Sequence, residues 1–260
     1  MSAMRWLTGS RAGRIVVPVV FSALILAAIW LYTEANASYT VPTVGDILVS
    51  FKDNWLFDKV GSDVVPSLRR MAIGFVIAVA GGVLAGFALG SFRILDELSA
   101  PLVNFLRSVP AAALLPPAIV ILGIGDTTKI AVIAFVCCWP IILNTRDGVR
   151  ELDTTMLASA TMYGITGLNR FLLIVLPAVA PRIFAGMRVS LSIAILLLVT
   201  SEMVASTNGI GYFVFQSQQM FAVDDMWAGV ILLGLLGIVL NFLLGRLERF
   251  VLRRHRPGQH

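Results

Sequence analysis

Apolar residues run through this chain in long blocks separated by short polar intervals. The blocks cover about 15–32, 68–91, 98–122, 130–143, 183–204 and 226–244. Most are close to the roughly 20 residues that an α-helix needs to cross a bilayer, and the pattern predicts six transmembrane helices. Each block has its own punctuation. The first is followed by Ala35-Asn36-Ala37, which imitates a secretory cleavage site, but its length is that of a membrane span and exceeds that of a signal core. In the second, Gly74, Ala78, Gly82, Gly86 and Gly90 recur every four residues. Small residues at that spacing line one helix face and let another backbone come close; we expect them to serve dimerisation. The third, Leu98 to Leu122, carries Pro101, Pro110, Pro116 and Pro117, which predicts a kinked helix. Gly123-Ile124-Gly125-Asp126 makes a turn before the fourth block. Asn208-Gly209-Ile210-Gly211-Tyr212 makes another between the fifth and sixth, ahead of a short amphipathic piece. Thr33 to Asp63 reads as a loop with an interfacial helix near Val44 to Phe51.

Composition agrees. Hydrophobic residues make up 58% and charged residues 13%, against about a quarter charged in soluble domains. No polar block is long enough for a separate soluble domain. We divide the chain into a polar tail at 1–14, a six-helix membrane domain at 15–245 and a basic tail at 246–260. The basic residues flank spans instead of lining one surface, which argues against nucleic acid. Arg5, Arg11, Arg14, Arg93, Arg146, Arg150, Arg170, Arg182, Arg246, Arg249, Arg253, Arg254 and Arg256 fall on one side of a six-span topology. Lys52, Lys59 and Lys129, with Arg69 and Arg70 at a span end, fall on the other. By the positive-inside rule both termini are cytoplasmic. Cys137 and Cys138 sit inside an apolar run and read as core residues, not as a disulfide or metal site. His255 and His260 are solvated.

The interval between the fourth and fifth blocks is long for a connection, at about 147–181. From Asp153 to Pro181 it carries Asp153 and Arg170, with Arg182 at its edge, so it stands in water. Asp153 is placed to cap a short helix over Thr154 to Tyr163, and Gly164 supplies the backbone freedom for a sharp exit. A second short helix starting near Thr166 should stop by Leu176, before Pro177 and Pro181. Two short helices hinged at a glycine form a knob that projects from the membrane.

That spacing resembles the cytoplasmic "EAA" loop of ABC importer permeases, E-A-A-x3-G-x9-I-x-L-P. Ala158, Ser159 and Ala160 stand at the triplet, Gly164 at the glycine, and Ile174, Leu176 and Pro177 at the end. Ala158 replaces the family's Glu, and Ser159 its middle Ala. The likeness extends over most of the chain after Pro42. Arg107-Ser108-Val109-Pro110, Leu114-Leu115-Pro116, Gly123-Ile124-Gly125-Asp126, Pro140-Ile141-Ile142-Leu143-Asn144-Thr145 and Ser201-Glu202-Met203 are similar to the nitrate, taurine and aliphatic-sulfonate branch. Leu122 departs from it, since an aromatic residue is common there. The resemblance implies an all-α integral membrane protein with the six-helix type I importer permease fold and a cytoplasmic coupling loop. It implies a bacterial inner-membrane location, a second permease copy, two cytoplasmic ATPase subunits and an extracytoplasmic binding protein. The chain has no G-x-x-x-x-G-K-[ST] loop, so ATP and Mg are expected on the partner and no cofactor in this chain. Ala160 is expected on the face that enters the ATPase.

Two charges inside spans are candidates for the translocation path. Arg107, with Pro110 beside it, either borders an anion path or snorkels to the interface; Glu202 either forms a gate or ion pair or simply reaches water. A secondary transporter or channel is the alternative class, predicting paired deep charges or broken spans repeated in two halves. An intramembrane enzyme would need convergent nucleophile, base or metal-ligating residues. We expect no catalytic and no metal site.

Overall fold

The computed structural model describes residues 13–36, 38 and 40–253, without the side chains of 13–16, 57 and 58. Arg5, Arg11, Arg254, His255, Arg256 and His260 lie outside those residues. Among the described residues the chain is helical, with one isolated bridge between Ser38 and Val41. Helix α1, Gly13–Ala35, is exposed along its side chains from Val17 to Tyr32. Helix α2, Val44–Asp53, starts where Thr43 Oγ1 accepts the Asp46 amide at 3.1 Å. Two π-turns lead into α3, Val65–Ser91, which has Pro66 in its first turn where no amide is needed. Then come α4, Arg93–Ser108, a 3-10 turn at Ala111–Leu114, α5, Leu115–Leu122, and α6, Asp126–Arg150. The knob holds α7, Thr154–Met162, and α8, Gly167–Arg170. Long α9, Leu176–Ala205, short α10, Ile210–Gln219, and α11, Val223–Arg253, complete the chain.

The core is the packing of α6 between α3 and α9. A Cβ added at Gly74 would come within 2.9 Å of Ile133, and one at Gly82 within 2.9 Å of Ile141. At Gly86 it would sit 2.5 Å from Thr145 Cβ, and at Gly90 2.6 Å from Val149 Cβ. The stripe is therefore consumed inside the chain: its partner is α6, and the expectation that it serves dimerisation is corrected. Because both sets of numbers increase together, α3 and α6 run parallel. Helix α9 runs antiparallel to α6, with Gly186 against Pro140 and Ile141, and Gly148 against Val179 and Arg182. Cys137 is buried there, its Sγ donating to Ser190 O while Ser190 Oγ donates to Cys137 O at 2.6 Å.

Parallel α3 and α6 must be joined by a segment that crosses back. Helices α4 and α5 do this as a broken span, bent by 93° at Ser108–Ala111. A single kinked helix was expected; instead Pro110, Pro116 and Pro117 withhold so many amides that the helix stops and restarts. Among the described residues, five helices are long and apolar enough to span a membrane, and the bent pair makes six. The second correction concerns Pro177. The Leu176 amide bonds five residues back to Phe171 O, forming a π-turn at Phe171–Val175. That wider turn makes room for the proline ring, so helix continues from Gly167 to Ala205. The knob thus has one separate short helix, and its second is the lower end of α9.

The glycine contacts generate a prediction. Gly82→Leu and Gly86→Leu each force α3 away from α6, and overpacking of this kind costs about 1–3 kcal/mol or more. Gly81→Ala, where nothing lies within 4 Å of the added carbon, is the control. Thermal unfolding of the purified protein should show a clear drop for the two leucine variants and little change for the control. Three equal melting temperatures would sink this account of the core.

Candidate functional site

Three places concentrate polar chemistry, and the first is the knob. Asp153 Oδ1 accepts the Thr155 amide at 2.8 Å and starts α7. The exit is built at Gly164, whose φ of +72° is left-handed. The Ile165 amide returns to Ala160 O at 2.9 Å and the Gly164 amide to Thr161 O at 3.0 Å. Those two bonds form a Schellman end. No atom lies within 4 Å of a Cβ at Gly164, so the demand for glycine is conformational. Met162 is 88% exposed, Tyr163 84% and Leu168 71%. Ala158 and Ser159 are exposed as well, but Ala160 is only 4% exposed. Ala160 therefore faces the protein itself and not outwards, which corrects that expectation: the phase set by Asp153 and Gly164 turns it inward. Ile174, Leu176 and Pro177 lie in the root of α9, half-buried.

At mid-height a cavity of about 440 Å³ opens at the break between α4 and α5. Leu106, Arg107, Ser108, Trp139, Asn144 and Ile193 line it. Arg107 is exposed, and no ion pair or hydrogen bond holds its guanidinium among the described residues. Trp139 Nε1 is buried without a partner. Pro110 caps the 3-10 turn, its carbonyl accepting the Ala113 amide at 2.9 Å.

The third place lies at the far end of the bundle from the knob. Glu202 does not reach water: it is fully buried and pairs with Arg70, which is 4% exposed, at 2.8 Å. Arg70 Nε also donates to Asp126 at 2.6 Å, and its two terminal nitrogens reach Asn208 O at 3.1 Å and Asn208 Oδ1 at 2.6 Å. Ser67 Oγ donates to Glu202 at 2.7 Å and accepts the Ile210 amide at 3.0 Å. The Gly211 amide donates to Glu202 at 3.0 Å and the Gly209 amide to Asp63 at 2.8 Å. The N-terminus of α10 is thus capped by carboxylates from other segments, where a helix favours negative charge. Gly209 has φ +121°, and any side chain there would overlap the Glu202 carboxylate. Lys129 lies buried beside this cluster. Sequence reading treated Arg70 as a residue at a span end and missed its role. The available signal was the stripe itself: Arg70 stands four residues before Gly74, on the face turned to α6.

The comparisons with known proteins decide the family. Residues 78–257 match the family described as binding-protein-dependent transport system inner membrane component. The chain belongs to this family of permeases. An ABC transporter permease protein of Brucella melitensis is 31% identical over 220 residues, 85% of this chain and 89% of its own length. The bicarbonate transport system permease protein CmpB of Synechococcus elongatus is 32% identical, over 80% of this chain and 75% of its own. A protein of Bacillus subtilis named for aliphatic sulfonates transport, SsuC, is 29% identical over 88% and 84%. A chain of the MetNI methionine ABC transporter, in inward-facing conformations, superposes with a TM-score of 0.61 at 21% identity, covering 72% of this permease and 94% of that chain. The permease therefore has the ABC importer permease fold, in the sulfonate, bicarbonate and nitrate branch. Relatives of this kind are permease subunits of ABC transporters, not enzymes.

The buried cluster makes a second prediction. Removing one member of a buried pair strands the other charge and costs about 3–5 kcal/mol, whereas replacing both with apolar residues costs far less. Glu202→Met and Arg70→Met should each lower the unfolding temperature of the permease sharply, and the double variant should recover much of the loss. Strict additivity of the two effects would show that the pair does not act as a unit.

Proposed function

We propose that this permease forms the translocation path for a small anion in an ATP-driven, binding-protein-dependent importer, and that its knob receives the motion of separate ATPase subunits. The observation that carries this reading is the knob's outer surface. Met162, Tyr163 and Leu168 are almost bare on a structure rigidly capped at both Asp153 and Gly164, at the end of the bundle that carries most of the arginines. Exposed apolar side chains on a stiff, water-facing mount suit docking to a protein partner. The resemblance carried by Gly164, Ile174, Leu176 and Pro177 makes that partner the ATPase, which would hold ATP and Mg. We infer two ATPase subunits, a second permease copy and an external binding protein. The second copy also suits α1, whose surface finds almost no cover among the described residues. The arginine distribution supports a cytoplasmic placement of the knob and both termini.

The cargo class follows from Arg107. It borders a mid-height cavity without a carboxylate partner, and an ionisable side chain at that depth is costly unless it faces water or a ligand. A small anion is the complementary cargo, in keeping with the sulfonate and bicarbonate named for the relatives. A secondary transporter is disfavoured because, among the described residues, the broken span occurs once, without a repeat in the other half.

Docking through the knob is tested on the purified complex. Tyr163→Asp combined with Met162→Asp should abolish co-purification of the ATPase or reduce substrate-stimulated hydrolysis at least tenfold. Gly164→Val should do the same through its backbone, since a branched residue in left-handed geometry costs about 1–2 kcal/mol or more. The spans should still insert. Full ATPase binding and full stimulation in both variants would reduce the knob to a connector. Orientation has its own check in a Cys137→Ala, Cys138→Ala background. Ser206→Cys should label with an impermeant maleimide from outside, and Gly167→Cys only after the cells are opened. The reverse pattern would overturn the cytoplasmic placement of the knob.

A further inference from the structure

Apart from the path and the knob, the groove between α9 and the end of α11 concentrates the most unassigned charge. It encloses about 680 Å³ and is lined by Arg188, Asn241, Phe242, Gly245, Glu248, Arg249, Leu252 and Arg253. Glu248 is the one carboxylate there, and Arg188 neutralises it at 2.5 Å. Arg249 spends its Nε on Gly245 O at 3.1 Å, leaving its two terminal nitrogens free to donate among the described residues. Arg253 has no partner among them. Arg246 stacks over the Phe242 ring at 4.7 Å beside the groove. Gly245 leaves the groove hollow: nothing lies within 4 Å of a Cβ added there.

Depth identifies what such a groove meets. Helix α11 has 31 residues, about 46 Å at 1.5 Å per residue, against a hydrocarbon core of about 30 Å. Trp227, just after Asp224 and Asp225, suits the interface at the far end. Counting about 20 residues from it reaches Leu247. Counting back the same distance from Ser206, at the end of α9, reaches Gly186. Arg249 and Arg253 therefore lie at headgroup level, with Arg188 at its inner edge, while Phe242, Leu243 and Leu247 remain exposed on the membrane side, with acyl chains as their neighbours. Free phosphate in water would need the arginines but not this apolar flank or this depth.

We propose that the groove centred on Gly245 is a binding site for the headgroup of an anionic phospholipid, with Arg249 and Arg253 donating to its phosphate. Basic pockets between spans at the membrane surface bind such headgroups, and each arginine contributes about fivefold in affinity. Only the assignment to the inner leaflet rests on the orientation given above; the binding itself does not.

The test titrates the assembled transporter in neutral detergent with dioleoyl phosphatidylglycerol, counting bound lipid by native mass spectrometry, with dioleoyl phosphatidylcholine and inorganic phosphate as parallel probes. Phosphatidylglycerol should be retained selectively. Arg249→Gln with Arg253→Gln should weaken it about 25-fold. Gly245→Leu, which fills the hollow and leaves every charge, should weaken it comparably. Arg93→Gln with Arg170→Gln, an equal loss of charge at the same end, should change it less than twofold. Equal loss in that control would mean diffuse attraction, and equal retention of phosphatidylcholine would mean no headgroup recognition. Competition by phosphate at equal concentration would make the site one for a soluble anion. Cross-linking of Gly245→Cys, in the Cys137→Ala, Cys138→Ala background, to a second permease copy would show that protein fills the groove. Each of these four results overturns the proposal. None depends on ATPase binding, so a failed lipid site leaves the importer reading intact.

Discussion

The contact between α3 and α6 is the constraint on which the rest depends. Four glycines bring the two backbones so close that Ile133, Ile141, Thr145 and Val149 fill the space where side chains would stand. In a lipid solvent, association between helices comes from such packing and from hydrogen bonds, because burying apolar surface gains little. The contact also fixes topology. It holds the helices parallel, so the chain must return across the membrane between them, and α4 with α5 are the result. Both polar sites at the ends of the bundle are set by the same registry. Arg70 meets Asp126 because α3 and α6 begin together, and Asp96 meets Arg146 and Arg150 because they end together, at 3.2 and 2.9 Å.

Much of this was legible in the sequence, and the failures have identifiable causes. Asp153 and Gly164 act through local backbone chemistry, so the start and the stop of α7 could be read from the chain. The recurrence of Gly74, Gly82, Gly86 and Gly90 showed that a helix would come close; it could not show which one, because a stripe carries no address. Pro177 was misread as a stop since nothing local announces the i→i−5 bond from Leu176 to Phe171 that accommodates it; Phe171 itself packs against Phe87, 4.9 Å away between ring centres. Glu202 and Arg70 were separable only as single charges. Their pairing spans 132 residues, and only the fold joins them.

The broken span and the buried cluster place opposite demands on the same membrane. At Arg107 the helix stops, leaving a charge beside a cavity with no carboxylate among the described residues to neutralise it. At Glu202 a charge of the opposite sign is fully withdrawn from solvent yet satisfied by Ser67, Arg70 and Gly211. Burial of a charge is tolerable when several donors converge on it, and exposure to a cavity is tolerable when water or a ligand can enter. The two sites are thus stable for different reasons: the first is suited to a changing occupant, the second to permanence.

That difference bears on how motion could pass through the molecule. Asp153 follows Arg150 by three residues, and Glu151 pairs with Arg182, so the base of the knob is tied to both α6 and α9. Asp96, buried between Arg146 and Arg150, ties the same base to α4. A displacement of the knob is therefore delivered to three helices at once. At the opposite end the Arg70, Glu202 and Asp126 cluster clamps α3, α6 and α9 together, where sliding would break several short charged hydrogen bonds. In the proposed cycle a clamped far end and a driven near end define a lever, and interfaces of this kind respond by rigid-body rotation sooner than by bending. Between them, α4 and α5 are broken by the 93° bend at Ser108–Ala111, and Arg107 faces the cavity there. In the proposed cycle, rotation of the clamped helices against α4 would alter the cavity first, without requiring any single helix to deform.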